Sequence, residues 1–460
     1  MKQYFKDKKI TVMGLGLLGR GIGDALYLAS SGAEEVIVTD LKTETQLMSS
    51  VEKLRGYENV RLVLGRHNKS DFIDVDLILV AGGVPFDSPY LSAAREAGVE
   101  IAQSAALFAR IADIPIIGVT GTRGKSTVTH MIHHVLEMIT GEKVLLGGNI
   151  RGVSNLELLN YVHQDSLCVM ELDSWQLQGW GWFQMSPDIA VFTNFMPDHL
   201  NYYKRDDLSY DEALKKYFAD KANIFRYQNE SDVFITTPKV FDKIKDYTHE
   251  SGNTLGQEVV LVDESEFPDE TLLMVPGNHN KLNAVLAYKA LKALSLQDEE
   301  IFPALSTFRG VEGRLQYLGL ISSLEVYNDN NATTPQATIV GLEAVGNENK
   351  KNVILIAGGS FKDIDPSPLV ESVKKFCKKI ILLPGTGTDI FLGILEKSDF
   401  SNDNYEISSH LSEAVAKAFE YGNFGDVLLF SPGFASFGSF NNEYDRNDQF
   451  IQIITSYQDT

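Results

Sequence analysis

Two glycine-rich turns carry the sharpest chemistry in this sequence. The first reads Gly14-Leu15-Gly16-Leu17-Leu18-Gly19 and fits G-x-G-x-x-G. It lies between an apolar run at 10–13 and a helix-compatible stretch, and Asp40 ends the next apolar run, 21 residues after Gly19. Glycines let the backbone approach a diphosphate at a helix N-terminus, and an acid at this separation can reach a ribose hydroxyl. The pattern predicts a nucleotide-diphosphate ligand without specifying nicotinamide. A tight turn that binds nothing is the plainer alternative. The second turn is Thr120-Gly121-Thr122-Arg123-Gly124-Lys125-Ser126-Thr127, after the apolar stretch 114–119 and before helix-compatible sequence. Its amides would cradle phosphates, Lys125 would reach the β and γ oxygens, and Ser126 would hold Mg²⁺. Val119 stands where the strict pattern has its first glycine. This turn implies ATP or GTP.

Short apolar runs alternate with helical stretches along the chain. Expected strands are 10–13, 36–39, 77–81, 114–120, 143–146, 167–172, 189–193, 259–262, 272–275, 324–327, 353–357, 380–383 and 427–430. Most lack polar alternation, as parallel strands buried on both faces do. Alternation with helices predicts an α/β protein. A fresh glycine turn opens near Gly118, and Phe-Arg-Gly-Val-Glu-Gly-Arg at 308–314 interrupts the pattern. Three domains are expected. These are a Rossmann-like N-terminal domain (1–108), a central P-loop ATPase domain with a mostly parallel sheet (109–310) and a Rossmann-like C-terminal domain (311–460).

The composition agrees. At about 100–200 residues per domain, 460 residues suit three domains. No stretch approaches the ~20 apolar residues that span a bilayer, and the charged N-terminus is not a signal peptide. Two cysteines, Cys168 and Cys377, build no disulfide framework, so a cytoplasmic location is expected. With 41 Lys and Arg against 62 Asp and Glu the net charge is −21. Such a chain repels nucleic acid and anionic membranes. Small anions remain suitable ligands, because local amides and a few lysines outweigh a distant net charge. A monomer acting on small molecules is the expectation.

Several further segments stand in a recognisable order. These are Gly147-Gly148-Asn149-Ile150; Glu171 in Met170-Glu171-Leu172-Asp173-Ser174-Trp175-Gln176-Leu177; Asn194 with Asp198-His199-Leu200; Lys221 in Asp220-Lys221-Ala222-Asn223-Ile224-Phe225; and Gly277-Asn278-His279-Asn280-Lys281-Leu282-Asn283. With the second glycine turn they resemble the Mur ligase family, ATP-dependent amide-forming enzymes of peptidoglycan precursor synthesis, over nearly the whole chain. The D-glutamate-adding branch is most similar. Its signatures resemble Ser431-Pro432-Gly433-Phe434-Ala435-Ser436-Phe437-Gly438-Ser439-Phe440, Asn328-Asp329-Asn330-Asn331-Ala332-Thr333-Thr334 and Gly358-Gly359-Ser360-Phe361-Lys362. Some positions depart from the family pattern. Asn331 replaces a lysine, Gly313 a histidine before Arg314, Asp173 a serine, Arg123 an asparagine, and Gly82-Gly83-Val84-Pro85 a Ser-Pro-Gly-Ile.

The resemblance implies that ATP phosphorylates the carboxylate of UDP-N-acetylmuramoyl-L-alanine and that D-glutamate attacks the acyl phosphate. The alternatives are another ligase of the family, L-glutamate-adding or folylpolyglutamate-like, or an inactive nucleotide-binding paralogue. It implies catalytic roles for Lys125, His199, Lys221 and Arg314. Mg²⁺ would be held by Ser126, Glu171, His199 and a carbamate on Lys221. ATP would lie on Gly121, Thr122, Arg123, Gly124, Lys125, Ser126 and Thr127, with Asn280, Asn283, Arg314 and Asp329. The uridine nucleotide would lie on Gly14, Leu15, Gly16, Leu17, Leu18, Gly19, Asp40 and Asn149, and the amino acid on Thr333, Lys362, Ser436 and Phe440. On residue type alone, the plainer readings are helix caps for Glu171, Asn280 and Asn283, a loop hydrogen bond for His199, an exposed helix lysine for Lys221 and a linker arginine for Arg314.

Overall fold

The structure is a computed structural model. It describes all residues except 17–18, 142–143, 204–207, 252–254, 269–270, 437, 439 and 459–460, and the side chains of 201 and 248–251. Among the described residues there are three sheets. The first contains Lys9–Met13 (β1), Glu35–Asp40 (β2), Val60–Leu64 (β3), Leu77–Val80 (β4) and Glu100–Ala102 (β5), in the order β3-β2-β1-β4-β5, all parallel. The second contains Ile116–Thr120 (β6), Val144–Gly148 (β7), Leu167–Glu171 (β8), Ile189–Phe192 (β9), Val233–Thr236 (β10) and Glu258–Leu261 (β11). Its order is β11-β10-β9-β6-β8-β7, again all parallel. The third contains Gln316–Ile321 (β12), Leu324–Asn328 (β13), Val353–Gly358 (β14), Cys377–Leu383 (β15), Tyr405–Ile407 (β16) and Asp426–Phe430 (β17). Its order is β12-β13-β17-β14-β15-β16, with only the β12–β13 pair antiparallel.

Helices cover both faces of these sheets, so the central strands are buried throughout: every residue of β6 and of β14 is buried. In the first sheet the pleat sends Ile10 and Val12 into one core with Phe5 and Leu28, and Met13 into another with Ile78 and Phe72. Both glycine turns leave the C-terminal end of a strand whose neighbours lie on opposite sides in the order, β1 between β2 and β4, β6 between β9 and β8. Crevices open at such switch points in parallel sheets, which places both turns where ligands bind.

The chain divides into two compact units. Residues 1–266 with 283–301 hold the first two sheets, and residues 267–282 with 302–460 hold the third.

Two differences from the sequence expectation have simple causes. The run 272–275 is not a strand: it pairs with no strand among the described residues, and Leu272 is 80% exposed. A short apolar run without a neighbouring ladder has no partner for its backbone groups. Conversely, the sequence expectation omits β3, β5, β10, β12 and β16; β10 is an apolar, mostly buried interior strand whose omission has no physical cause, and the other four are edge strands. Edge strands are short and partly polar, so their hydropathy signal is weak.

Candidate active site

The first glycine turn is braced from within. Asp40 at the end of β2 is buried, and its Oδ2 accepts the Leu15 amide at 2.9 Å and the Gly16 amide at 3.3 Å. Its Oδ1 accepts the Lys42 amide at 2.9 Å. The spacing pointed this carboxylate at a ribose hydroxyl; here both oxygens are occupied by backbone N–H groups, and the acid holds the turn in shape. Gly19 caps the helix Arg20–Ala29 without a side-chain hydrogen bond. Among the described residues the first amides of that helix have no side-chain cap, the usual arrangement at an anion site. Leu17 and Leu18 lie outside the described residues.

The second turn wraps the start of the helix Lys125–Thr140. Gly124 caps this helix at φ +80°, a left-handed conformation that favours glycine. A Cβ there would lie 2.6 Å from Asn283 Oδ1. Strand β9 and its following loop hold the turn. The Thr122 amide donates to Asn194 O at 2.9 Å, the Arg123 amide to Asn194 Oδ1 at 2.9 Å, and the Met196 amide to Thr122 Oγ1 at 3.0 Å. Lys125 Nζ donates to Thr122 O at 3.2 Å, folded back over the turn. Thr122 and Ser126 are buried, Thr127 is half-buried and Arg123 is exposed.

Next to this turn stand the residues proposed as metal ligands. Strand β8 runs beside β6 with Glu171 opposite Val119. Glu171 is 4% exposed, and its Oε1 accepts the Asn149 side-chain amide at 3.1 Å. Its second oxygen has no hydrogen-bond partner among the described residues. Asp173 caps the next helix, Ser174–Trp182, by accepting the Gln176 amide at 2.8 Å. His199 is 44% exposed and left-handed at φ +53°, with its ring 4.8 Å from the Trp175 ring.

Lys221 reverses the plainer expectation of an exposed helix lysine. It closes the helix Tyr210–Ala222 and is 1% exposed. Its Nζ donates to Gly121 O at 2.8 Å and Thr120 Oγ1 at 3.3 Å. Burial pushes its pKa well down, and the neighbouring Lys125 pushes the same way, against Asp173, Asp198 and Glu171. A buried amine thus feels the field of a second cation and of three carboxylates.

A cavity of about 350 Å³ joins the two turns, lined by Gly14, Gly16, Gly82, Lys125, Asn149 and His199 among others. A ligand lying in it would reach from the diphosphate-type turn to the P-loop lysine.

The third-sheet unit gathers other candidates at the C-terminal ends of β13, β14 and β17. Lys362 Nζ donates to Thr333 Oγ1 at 2.9 Å. The Phe440 amide donates to Ser436 O at 3.3 Å, and a β-bridge joins Ser360 to Ala435. Asp329 is buried, accepting Leu315 N–H at 3.1 Å and the Ser431 hydroxyl at 2.8 Å. Burial pushes its pKa up to about 7. Arg314 is exposed. Two of the departures touch: the Asn331 amide donates to Gly313 O at 2.8 Å, and a Cβ on Gly313 would lie 3.1 Å from Asn331 Nδ2. Asn280 and Asn283 are one turn apart on the helix Asn278–Ala293; Asn280 Nδ2 donates back to Pro276 O at 2.8 Å.

The sequence reading missed Arg446. It is fully buried, donating from Nε to Asn330 Oδ1 at 2.7 Å, from Nη2 to Asn330 O at 2.9 Å and from Nη1 to Phe434 O at 3.3 Å. It ties the loop after β13 to the loop after β17. Nothing in the local pattern of an amphipathic helix marks such an arginine.

Comparison with known proteins agrees with this architecture. Residues 8–103 match the family described as "Mur ligase MurD-like, N-terminal domain", and residues 119–291 match "Mur ligase middle domain". The UDP-N-acetylmuramoylalanine–D-glutamate ligase of Borreliella afzelii is 32% identical, covering 98% of both chains. The enzyme of the same name from Roseiflexus is 32% identical over 98% of this chain and 99% of its own. The crystal structure of the UDP-N-acetylmuramate–alanine ligase MurC of Thermotoga maritima shares the fold, with a TM-score of 0.60 at 20% identity over 98% of this chain and 99% of that one. Two family domains in sequence and full-length relatives at this identity establish that the chain belongs to the Mur ligase family.

Proposed function

We propose that this chain is the ATP-dependent ligase that joins D-glutamate to UDP-N-acetylmuramoyl-L-alanine in peptidoglycan precursor synthesis. The observation that carries the reading is the cluster around the ends of β6 and β8. There Lys125 of the phosphate-binding turn, Asn149 and His199 line one cavity, the buried Glu171 is hydrogen-bonded to that Asn149, and the buried Lys221 is hydrogen-bonded to Gly121 of the turn. Full-length relatives bearing that enzyme name support it.

The chemistry follows from charge. The γ-phosphate of ATP and the acceptor carboxylate are both anionic, so they repel until cations separate their charge. Lys125 and the amides of the second turn hold the phosphates and neutralise the oxygens that gain charge during transfer. The acceptor carboxylate oxygen attacks the γ-phosphorus and ADP leaves. The amine of D-glutamate then attacks the acyl carbon, phosphate leaves and the amine gives up a proton. In the third-sheet unit Thr333, Lys362, Ser436 and Phe440 hold the amino acid, and Asp329 and Arg314 serve the nucleotide.

The donor set suits a hard divalent cation. Among the described residues Glu171 keeps one oxygen free of hydrogen bonds, and Ser126 at the start of the helix Lys125–Thr140 offers a buried hydroxyl. Ser126, Glu171, His199 and a carbamate on Lys221 would hold Mg²⁺, which would supply positive charge to neutralise the phosphates. A buried amine whose hydrogen-bond acceptors are all neutral, beside Lys125, is poorly placed as an ammonium. Carbamylation converts it to an oxygen-bearing anion. The uridine diphosphate lies on the turn braced by Asp40. The same reading makes the protein a cytoplasmic monomer acting on small molecules. Among the described residues no helix is long and apolar enough to cross a membrane.

Phosphate release measured with ATP, Mg²⁺, UDP-N-acetylmuramoyl-L-alanine and each glutamate enantiomer in turn tests the reading. Release that depends on D-glutamate is expected. Release with L-glutamate alone, or none with either, overturns it.

A further inference from the structure

One face of the helix Arg20–Ala29 carries Arg20, Gly23 and Asp24, at i, i+3 and i+4. All three meet the segment 149–156 that follows β7. A Cβ on Gly23 would lie 2.5 Å from Ser154 Cβ, so only glycine allows this approach. Asp24 Oδ1 accepts the Ser154 hydroxyl at 2.6 Å and the Leu156 amide at 3.1 Å. Arg20 Nη1 donates to Asn149 Oδ1. Asn149 in turn donates from Nδ2 to Glu171 Oε1 at 3.1 Å.

This relay has only one polarity. A guanidinium only donates and an ionised carboxylate only accepts. Asn149 is therefore locked with its oxygen toward Arg20 and its NH₂ toward Glu171, which orients the carboxylate and keeps one oxygen free. The remaining guanidinium N–H groups of Arg20 have no hydrogen-bond partner among the described residues. Arg20 is half-buried and lines the cavity beside Gly14 and Gly16, as the first residue of the helix capped by Gly19. In a chain of net charge −21, a cation at this place matters for an anion arriving there.

We infer that Arg20 does two things at once. Its free N–H groups bind the diphosphate of the uridine nucleotide, and through Asn149 it positions Glu171 for the divalent ion. The diphosphate site and the divalent-ion site are thereby coupled across the two sheets. Arg20 is a binding residue for the nucleotide and a positioning residue for Glu171. The inference rests on the proposed reading of the two turns and adds a residue that the motifs do not contain.

Two titrations of the full-length chain test it. UDP binding is followed by calorimetry in the presence of a chelator, so that no divalent ion contributes. Losing a charged hydrogen-bond donor to the diphosphate weakens UDP about ten-fold or more in Arg20→Met. Mn²⁺ binding to the nucleotide-free protein is followed by electron paramagnetic resonance. Loss of an outer partner of a ligand weakens the ion about ten-fold in Arg20→Met and in Asn149→Ala, and the double variant loses no more than either alone. Arg20→Lys, which can still donate to Asn149, retains Mn²⁺ affinity while losing part of the UDP affinity. Unchanged melting temperatures of Arg20→Met, Asn149→Ala and Arg20→Lys show that these losses are not unfolding. If wild type binds both probes while Arg20→Met binds UDP and Mn²⁺ within about two-fold of wild type, the inference is wrong and the proposed sites stand. If wild type itself binds neither probe, the reading of the two turns fails instead.

Discussion

Replacing Asp329 with asparagine isolates what a buried charge costs the third-sheet unit. Asp329 follows β13 with each oxygen accepting one hydrogen bond, from the Leu315 amide and the Ser431 hydroxyl. Burial lifts its pKa from 3.8 to about 7, against the opposing pull of Ser431, Leu315 and the Arg314 charge. The folded state therefore holds the proton more tightly than the unfolded chain. The stability this confers is complete below the unfolded pKa of 3.8 and is lost as pH rises through about 7. At about 1.36 kcal/mol per pH unit, the interval amounts to about 4 kcal/mol. Asparagine has the same shape. Its Oδ1 accepts from Leu315, and its Nδ2 donates to Ser431 Oγ, whose proton reaches Thr338 Oγ1 at 3.0 Å. Hydrogen exchange of the β13 peptide in increasing urea, from about pH 4 to about pH 8, gives the stability of this unit. Wild type loses about 4 kcal/mol more than Asp329→Asn over that range. Parallel pH curves for the two proteins would refute the argument, because the charge would then cost nothing on burial.

Three further outcomes are expected. Gly124→Ala forces a Cβ into left-handed backbone and against Asn283, a strain of about 1–2 kcal/mol before the clash. The KM for ATP rises about ten-fold; an unchanged KM in steady-state kinetics would mean the turn does not hold the nucleotide. Lys221→Ala lowers turnover about a hundred-fold or more, and short-chain carboxylates restore part of it by filling the vacated space. Near-normal turnover of this variant in carbon-dioxide-depleted buffer removes Lys221 from the metal site. Uridine diphosphate binds the first glycine turn and NAD does not, by calorimetry; the opposite preference returns the turn to a nicotinamide cofactor.

The parts legible in the sequence are those whose geometry is local. A glycine turn between a strand and a helix dictates its own backbone path, so residues 14–19 and 120–127 point to phosphate chemistry wherever they occur. Buried parallel strands such as β6 and β14 announce themselves by unbroken apolar runs, because both faces must be covered. The family motifs order the catalytic candidates along the chain for the same reason, since each motif is contiguous. What depends on residues far apart in the chain is set only by folding. Asp40 braces a turn 25 residues away because β2 lies beside β1. Lys221 meets Gly121 across a separation of 100 residues, and that meeting changes it from a solvated cation to a buried amine. Arg20 reaches Glu171 through Asn149 because a glycine lets one helix face approach the segment after β7. Charge, burial and hydrogen-bond polarity act over a few ångströms of space. Sequence spacing constrains those distances within one turn or one helix, and the packing of sheets sets the rest.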